Sequence, residues 1–447
     1  MSTLHTATHY QRSLYGATGG RASGVTVGAA VRMRGHTDPR RVRAALAALT
    51  ARHEALRTTL TRPGTSTAAH QVVGEHTPPD LREVSLATIE PKEREAACAA
   101  LLQAELRRPF VLADSPLVRA LLVTLADDDR VFAVIGHHAI MDGWSAGVIR
   151  DDFRYLYEHG PGAPLAPPAL HLADYAAWEA ELSGDPATRE HWRAVLADAR
   201  PRLSFPRDTP AVGTLARTTP HPLPLDHGPA LDALRPLMAE HRASTTAVLL
   251  AALAAALRDH ATDERITVGV MRSNRRQREV RATVGFLAGH VPVTVDLSGD
   301  PSCATLVGRA ADAYDRAITR PAPAGVLRAS LPDVGPGPLF DVSLNYSAGE
   351  RRPDAVVTGA GTTFSPFDLA HEGPTDHPWW DGASLLDFQV RSDPAGRFTG
   401  VLVADATVFG DRAAARFAGR FTAALRRVAE HPGDRLSVLG TTREPVR

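Results

Sequence analysis

The chain has 447 residues, 44% hydrophobic and 22% charged, and its 50 basic residues balance its 50 acidic ones. This length predicts two or three domains with sizeable cores, and the neutral charge provides no general attraction to nucleic acid or membrane surfaces. Two cysteines exclude a disulfide framework, and neither a signal peptide nor a membrane-spanning apolar run is found, so we expect a cytoplasmic protein without membrane or nucleic-acid partners.

The first hundred residues alternate strand-like and helical patterns. Residues 24–31 predict a strand, and the next segment predicts a helix because Asp38 suits the N-cap and Pro39 the first helical position. Residues 91–108 predict a second helix, which Pro109 ends. The chain therefore begins with mixed α/β structure.

A hairpin followed by a helix is predicted in the middle of the first half. The apolar runs 117–125 and 131–135 are separated by five polar or small residues, which is typical of two paired strands. Apolar residues then recur at helical spacing over residues 145–158. The polar stretch 136–145 thus lies where a strand ends and a helix begins, a common position for functional residues.

Proline-rich connectors at 161–168 and 201–210 enclose a helical segment with Tyr175, Trp178 and Trp192. We place the boundary between two lobes here, with residues 1–180 forming the N-terminal lobe and 181–447 the C-terminal lobe. The second lobe repeats the same order of elements. Its predicted elements are a helix capped by Ser244 or Thr245 and ending at Leu257, strands at 266–270, 291–295, 340–344 and 385–390, and a final helix capped by Asp411.

The adjacent histidines His137 and His138 have three interpretations. A metal site is disfavoured, because neighbours in extended backbone point to opposite sides and the sequence has no His-Glu-x-x-His or cysteine pair to complete a ligand set. A purely structural pair, with one histidine in the core and one in solvent, remains open. The third interpretation makes His138 a lone base, while Asp142 turns away and holds the loop.

Gly143-Trp144-Ser145-Ala146-Gly147 formally matches the G-x-S-x-G nucleophile elbow of serine hydrolases. In that elbow the serine follows its strand directly, whereas here His137 to Trp144 intervene. A serine hydrolase that uses Ser145 is therefore kept as an alternative function of another class.

The spacing His137-His138-x-x-x-Asp142-Gly143 resembles the signature of nonribosomal peptide synthetase condensation domains, which are chloramphenicol-acetyltransferase-like acyltransferases. The resemblance extends along nearly the whole chain, in the family's order. Its further motifs are Gln11-Arg12, Arg52-His53-Glu54-Ala55-Leu56-Arg57-Thr58, Asp174-Tyr175 with Trp178, Val284-Gly285-Phe286, and Pro338-Leu339-Phe340-Asp341-Val342 with Asn345-Tyr346.

Two positions depart from the family pattern. Leu287-Ala288-Gly289-His290 stands where Asn-Thr usually follows the Gly-Phe pair, so an extra imidazole replaces a donor. Thr319-Arg320-Pro321-Ala322-Pro323 replaces a His-Gln-Asp-type motif. Both departures concern the choice of substrate rather than the fold.

The resemblance implies an α/β fold of two chloramphenicol-acetyltransferase-like lobes in a V-shaped pseudo-dimer, with an active-site channel between them. It implies His138 as the catalytic base in the channel, with His137 packing behind the loop. Asp142 would pair with Arg275 of the other lobe, and a backbone N–H near Gly143 would stabilise the oxyanion. The candidate lining residues are Trp144, Ser145, Gly289, His290 and Asn345.

The implied function is a free-standing condensation enzyme of nonribosomal peptide biosynthesis. It would transfer an acyl group from the phosphopantetheine thioester of a carrier protein, acting in trans, to an amine or less often an alcohol. The acceptor would be carrier-bound or free, and no permanent cofactor or metal is expected. Arg272, Arg276, Arg278 and Arg281 form a solvated charged loop or a docking surface for an acidic carrier.

Two other functions remain within the same fold. One is an O- or N-acyltransferase that uses coenzyme A or polyketide donors. The other is a non-catalytic protein that binds a carrier.

Overall fold

A computed structural model of the protein describes residues 3–64, 66, 68–113, 116–205, 215–225, 229–261, 263–331, 334, 338–348, 356–357, 361–367, 369, 375–378 and 383–439. Up to residue 182, the helices and strands in chain order are β1 (Thr3–Thr6), α1 (His9–Thr18), β2 (Ala22–Ser23), β3 (Thr26–Arg34), α2 (Pro39–Arg52), β4 (Thr58–Thr61), β5 (His70–Val73), β6 (Leu81–Ser85), α3 (Arg94–Arg107), β7 (Phe110–Val111), β8 (Val118–Ala126), β9 (Asp129–His137), α4 (Gly143–His159) and α5 (Leu172–Gly184), the last of which crosses this limit.

The remaining elements follow in the same way. They are α6 (Pro186–Val195), β10 (Leu215–Pro222), α7 (Leu231–Glu240), α8 (Thr245–Leu257), β11 (Arg265–Arg272), β12 (Gly289–Asp296), α9 (Cys303–Ile318), α10 (Ala324–Ser330), β13 (Val342–Ala348), β14 (Val356–Val357), β15 (Thr363–Pro366), β16 (Thr375–Pro378), β17 (Leu386–Ser392), β18 (Phe398–Asp405), α11 (Asp411–Glu430) and α12 (Leu436–Leu439).

The chain forms two compact units, each built from separate stretches of sequence. The first holds residues 1–182, 273–288 and 352–378, and the second holds 183–272, 289–351 and 379–447. The boundary predicted from the sequence lies at 180 and leaves residues 273–288 and 352–378 in the C-terminal lobe. These two segments return to the first unit, and the Arg275 contact described below is one physical reason.

The first unit is organised around a sheet with the strand order β14-β15-β3-β9-β8-β6. β9 runs antiparallel to both β3 and β8, and Thr26 lies opposite His137 at the end of β9. On one face Phe132 of β9 stacks on Phe153 of α4, with 3.9 Å between ring centroids. On the other face a Cβ placed on Gly28 would lie 3.3 Å from Leu106 of α3. β9 is therefore a central strand between two helical layers, which fixes the residue at its end.

In the second unit, strands lie in the order β12-β11-β13-β17-β18-β10. β11, β13 and β17 are parallel, while β12, β18 and β10 pair antiparallel with their neighbours. One face packs on α8, α9 and α11, and the residues of α8 from Ala247 to Ala255 are all buried. A helix that is apolar all round is stable only when enclosed, which explains the apolar run in the sequence.

Several predicted elements are confirmed with adjusted ends. The hairpin consists of β8, which ends at Ala126, and β9, which begins at Asp129. Ser244 caps α8 as expected. The single helical segment predicted around Trp178 and Trp192 is two helices, because Asp185 caps a new helix.

The predicted cap of the final helix is wrong. Gly410 is the N-cap of α11, and Asp411 is its first helical residue. At that position the carboxylate still interacts favourably with the positive end of the helix dipole, so the sequence signal was real but one residue displaced.

In the part of the chain that the structure describes, no helix is both long and apolar enough to cross a bilayer. Within the same ranges, no group of three or more His, Cys, Asp or Glu side chains is arranged to hold a metal ion. Cys98 and Cys303 are both buried and unpaired.

Candidate active site

The end of β9 holds the two histidines in fixed backbone. The N–H of His137 donates to the carbonyl oxygen of Leu117 at 3.0 Å, and the N–H of His138 donates to that of Val25 at 2.8 Å. The backbone of His138 is therefore still anchored to the segment before β3, although β9 has ended at His137. Such anchoring from rigid elements lets a loop present a side chain at a defined position.

His137 is fully buried, and its imidazole shapes the loop. Its Nδ1 accepts the N–H of Ala139 at 3.0 Å, and the ring of Phe110 lies edge-on at 6.3 Å between centroids. Burial lowers the pKa of His137 to about 3, and the nearby His138 acts in the same direction. The ring is therefore neutral at physiological pH and carries its proton on Nε2.

His138 differs from its neighbour because its side chain is only half-buried. Its ring lies against Phe286, with 4.3 Å between centroids, and Phe286 in turn stacks on Tyr10 at 5.3 Å. Gln11, within the capping box of α1, donates from Nε2 to the carbonyl oxygen of Ala139 at 2.9 Å. One side of the imidazole thus rests on an aromatic pair, and the loop behind it is tied to α1.

Asp142 and Arg275 form a buried ion pair, as the family resemblance implied. The guanidinium donates to the two carboxylate oxygens at 2.7 and 3.1 Å. The same carboxylate accepts the N–H groups of Ser145, Leu287 and Ala288 at 2.9, 3.1 and 3.0 Å. Burial works to raise the pKa of Asp142, but the charge of Arg275 and these hydrogen bonds outweigh it and hold the pKa below its usual value.

Arg275 belongs to the first unit rather than to the other lobe. Its guanidinium also donates to the carbonyl oxygens of Thr283 and Gly285, at 3.2 and 3.1 Å, and is fully enclosed. One arginine therefore binds the segment 273–288 to the helix that follows the histidines.

Ser145 is neither a channel-lining residue nor an exposed nucleophile, and both predictions are corrected. Its side chain has no exposed surface. The hydroxyl lies 2.8 Å from the carboxylate of Asp142 and 2.9 Å from the carbonyl oxygen of Gly285, and it accepts the N–H of Gly285 at 3.0 Å. No histidine is among the hydrogen-bond partners found for this hydroxyl in the described chain. Ser145 holds the segment around Gly285 in place.

Gly143 and Trp144 open α4, with Asp142 as the N-cap. A Cβ added to Gly143 would meet no atom within 4 Å, so nothing in the described chain occupies the space beside it. Trp144 is 39% exposed, and its Nε1 donates to the carbonyl oxygen of Arg281 at 2.9 Å. The first turn of this helix offers N–H groups beside an open position, which is a suitable setting for binding developing negative charge.

The other candidate lining residues lie in the sheet of the second unit. Gly289 and His290 begin β12 and are buried, whereas Asn345 on β13 is partly exposed. Their role in lining a channel remains a prediction.

Roles for Gln11 and Phe286 were missed by the sequence reasoning. Both residues lie in segments that resemble family motifs, and this resemblance was the only sequence signal that could have pointed to them. Their contacts with the histidine loop join positions 128 and 148 residues apart, so local patterns could not reveal them.

A model of the condensation domain family matches residues 4–445. The chain belongs to the condensation domain family. This family forms amide bonds in nonribosomal peptide synthesis.

Two relatives of this condensation domain belong to large synthetases. It is 30% identical over 421 residues to phosphinothricin tripeptide synthetase PhsC of Streptomyces viridochromogenes, which covers 91% of the chain and 37% of PhsC. It is 34% identical over 301 residues to a polypeptide of the linear gramicidin synthase of Brevibacillus parabrevis, which covers 65% of the chain and 4% of that polypeptide. The chain thus spans well under half of the length of either relative.

Solved structures show the same fold as this condensation domain. The X-domain from teicoplanin biosynthesis is 26% identical with a TM-score of 0.78, covering 97% of this chain and 96% of that one. A structure of the X-domain in complex with OxyB gives a TM-score of 0.75 at 23% identity, covering 97% and 95%. SgcC5 from Streptomyces globisporus gives 0.77 at 23% identity, covering 92% and 94%. The two α/β units are therefore the two-lobed chloramphenicol-acetyltransferase-like fold.

Proposed function

We propose that this condensation domain is a catalytically active acyltransferase that joins a carrier-bound thioester donor to an amine, and less often to an alcohol. The observation that carries the proposal is the contrast between the two histidines. His137 is sealed and neutral, whereas His138 is half-buried and fixed by its backbone and by Phe286. A positioned, reachable imidazole is suited to accept a proton near neutral pH.

In the proposed reaction the amine nitrogen attacks the thioester carbonyl carbon while His138 accepts a proton from that nitrogen. The C–N bond forms, the carbonyl oxygen becomes an oxyanion, and the C–S bond then breaks. The leaving thiolate takes up the proton. The thioester is already activated, so positioning and proton transfer supply most of the acceleration.

We assign stabilisation of the oxyanion to the first turn of α4, at the backbone N–H of Gly143. Donors fixed in advance near developing charge need no reorganisation during the reaction. The open space beside Gly143 supports this assignment, because a substrate can approach the backbone there. Asp142 takes no part in proton transfer in this scheme, since its oxygens are already occupied by donors.

The donor is proposed to be a phosphopantetheine thioester on a carrier protein that acts in trans, with no permanently bound cofactor. The acceptor is carrier-bound or a free small molecule. Similarity to one synthetase over 91% of the chain supports a carrier-linked donor. A cytoplasmic setting is part of the proposal, supported by the two unpaired thiols.

The test compares His138→Ala with His36→Ala, in which an exposed histidine of the same unit is removed. Purified proteins are mixed with carriers loaded with a panel of aminoacyl and acyl groups, and with amine acceptors, and product is followed by intact-protein mass spectrometry. We expect His138→Ala to melt like the wild type and to lose roughly 10²- to 10⁴-fold in rate. If His138→Ala turned over as fast as the wild type, His138 would not be the catalytic base.

The main alternative within the fold is an acyltransferase that uses coenzyme A donors. Coenzyme A thioesters of the same acyl groups, tested in parallel with the loaded carriers, distinguish the two. A higher kcat/KM with coenzyme A donors would reassign the donor and leave the role of His138 unchanged.

A binding role is the second candidate function. The observation that favours it is the solved complex of the X-domain with OxyB, a structural neighbour of this chain. The half-buried His138 and the open position beside Gly143 favour catalysis instead. Absence of product with every donor, together with stable complex formation with a carrier, would support the binding role.

A further inference from the structure

Tyr10 and Phe286 form a buried aromatic pair that no step of the proposed reaction uses. Tyr10 is 6% exposed and Phe286 5%, and their rings stack with 5.3 Å between centroids and 23° between planes. Phe286 also lies against the ring of His138, with 4.3 Å between centroids. All three residues belong to the first unit. The half-buried imidazole therefore meets an enclosed aromatic surface on one side.

Phe286 is held by hydrogen bonds to both of its neighbours in the chain. The N–H of Gly285 donates to the hydroxyl oxygen of Ser145 at 3.0 Å, and the N–H of Leu287 donates to the carboxylate of Asp142 at 3.1 Å. Both acceptors lie at the start of α4, directly after the histidine loop. The buried polar groups in this region thus fix the backbone that carries Phe286.

Tyr10 is held because α1 is bonded to two other parts of the first unit. The N–H of His9, the first residue of α1, donates to the carboxylate of Glu179 on α5 at 2.7 Å. Gln11 donates from Nε2 to the carbonyl oxygen of Ala139 at 2.9 Å. Two adjacent residues of α1 therefore reach the histidine loop, one through the loop's backbone and the other through the aromatic pair.

A histidine that accepts a proton from a substrate must keep one ring nitrogen directed at the reacting amine. The torsion that turns the ring about its bond to Cβ is broad and roughly two-fold, so a half-exposed imidazole samples different orientations unless packing restricts it. A misplacement of about 1 Å can cost roughly 10²-fold in rate. The Phe286 ring restricts this rotation and offers no hydrogen-bonding group that would compete for the imidazole nitrogens.

We infer that Tyr10 and Phe286 are positioning residues for proton transfer by His138. Phe286 confines the imidazole to one orientation, and Tyr10 acts on it through Phe286. Neither aromatic residue exchanges a proton with the substrate. The inference rests on the proposed role of His138 as the base, and it extends the site to α1 and to the segment 273–288.

The experiment compares Tyr10→Leu and Phe286→Leu with the wild type, because leucine keeps apolar bulk and removes the flat ring. NMR relaxation of histidine rings labelled with carbon-13 measures their order, and the His138 signal is assigned by its loss in His138→Ala. We expect the order parameter of the His138 ring to fall from about 0.85, a value typical of rigid groups, to below about 0.6 in both leucine variants.

The loaded-carrier assay supplies a second readout. A misplaced base slows bond formation rather than donor binding, so in both leucine variants kcat should fall roughly ten- to hundredfold while KM changes less than about twofold. Tyr10→Phe keeps the stacked ring and should retain the ring order and the kcat of the wild type.

Tyr155→Leu is the matched control. Tyr155 stacks on a different histidine of the same unit, His159, with 4.4 Å between centroids. Its removal should leave both the order of the His138 ring and kcat unchanged. An equally large loss of order in Tyr155→Leu would overturn the inference. Unchanged order in either leucine variant would overturn the role of the ring that it removes.

The NMR measurement needs no turnover, so the two proposals fail separately. Full activity of His138→Ala would refute the base, while the order parameters would still show whether the aromatic pair orients the ring. A His138 ring that stays ordered in both leucine variants would refute the positioning and leave the proposed acyl transfer untouched.

Discussion

Asp142 is surrounded by hydrogen-bond donors on every side. Arg275 supplies two N–H groups, and Ser145, Leu287 and Ala288 supply backbone N–H groups. A carboxylate bound in this way has no lone pair directed at a substrate. Its contribution is to fix the loop after His138, and its removal would leave the guanidinium buried without a countercharge.

We therefore predict that Asp142→Ala and Arg275→Ala each lose roughly 3 to 5 kcal/mol of unfolding free energy, because each strands the partner's charge. Urea unfolding followed by circular dichroism measures the loss. Asp393→Ala, which breaks a solvent-accessible pair with Arg397, should cost much less than either core variant. Unchanged unfolding midpoints in both core variants would contradict a structural role for the pair.

His137 makes stability depend on pH in a definite direction. Its pKa in the folded protein is about 3, whereas an unfolded histidine titrates near its ordinary value of 6.5. Between these values the unfolded chain holds one more proton than the folded one, so stability falls as the pH falls through this window. Burial lowers the pKa of His53 too, which contributes in the same sense.

For His137→Asn we predict a weaker loss of stability on acidification than in the wild type, by up to about 1.4 kcal/mol per pH unit between pH 6 and 5. The asparagine oxygen can still accept the N–H of Ala139. Unfolding free energies at several pH values give the slope, which is insensitive to a constant packing defect. Identical slopes for the two proteins would show that this histidine is protonated in the folded state.

At the scale of elements, the segment from β9 to α4 contains two glycines with opposite requirements. A Cβ on Gly136 would lie 2.5 Å from Sδ of the buried Met141, so packing within the loop demands glycine there. A Cβ on Gly143 would meet nothing within 4 Å. No packing contact of the described chain requires glycine at position 143, whereas the proposed approach of a substrate to the backbone would require it.

Gly143→Ala is expected to fold with wild-type stability but to lose at least tenfold in kcat/KM, because its methyl group would occupy the space proposed for the substrate. Gly136→Ala, the matched change, should lose roughly 1 to 3 kcal/mol of stability through overpacking. Melting curves and the loaded-carrier assay distinguish the two effects. Full activity of Gly143→Ala would count against the placement of the oxyanion at α4.

The contact between Asp142 and residues 287–288 shows why one departure from the family pattern is tolerated. Leu287 and Ala288 replace the usual Asn-Thr, yet their contact with Asp142 is made by backbone N–H groups. Backbone donors are available to every residue except proline, so this support survives a change of side chain.

At the scale of the whole molecule, a net charge of zero means that any steering of a charged partner must come from a local surface. The loop 276–281 is such a surface, because Arg276, Arg278 and Arg281 are exposed there and only Glu279 opposes them. Arg275, which directly precedes this loop, is buried in its ion pair with Asp142. The remaining arginines are our candidate docking surface for an acidic carrier protein.

We predict that Arg278→Glu with Arg281→Glu slows association with a loaded carrier roughly three- to tenfold at low salt, and that the difference shrinks as salt is added. Stopped-flow fluorescence with a labelled carrier measures the rate. The control reverses Arg412 and Arg416, two exposed arginines on α11. Equal rates for the loop variant and this control would eliminate the loop as a docking surface.

The sequence by itself determined the local structure around the site. Strand alternation, helix spacing and the caps Asp38 and Ser244 act over a few residues, so the strand, loop and helix that carry His138 could be predicted, and the motif order indicated the family.

Only the tertiary structure decided which distant residues meet this segment. It brought residues 273–288 back to the first unit, enclosed the Ser145 hydroxyl, and set Phe286 against His138. These contacts join positions more than a hundred residues apart, and they depend on the path of the whole chain and on the burial of one charge pair. Short-range propensities carry no information about either.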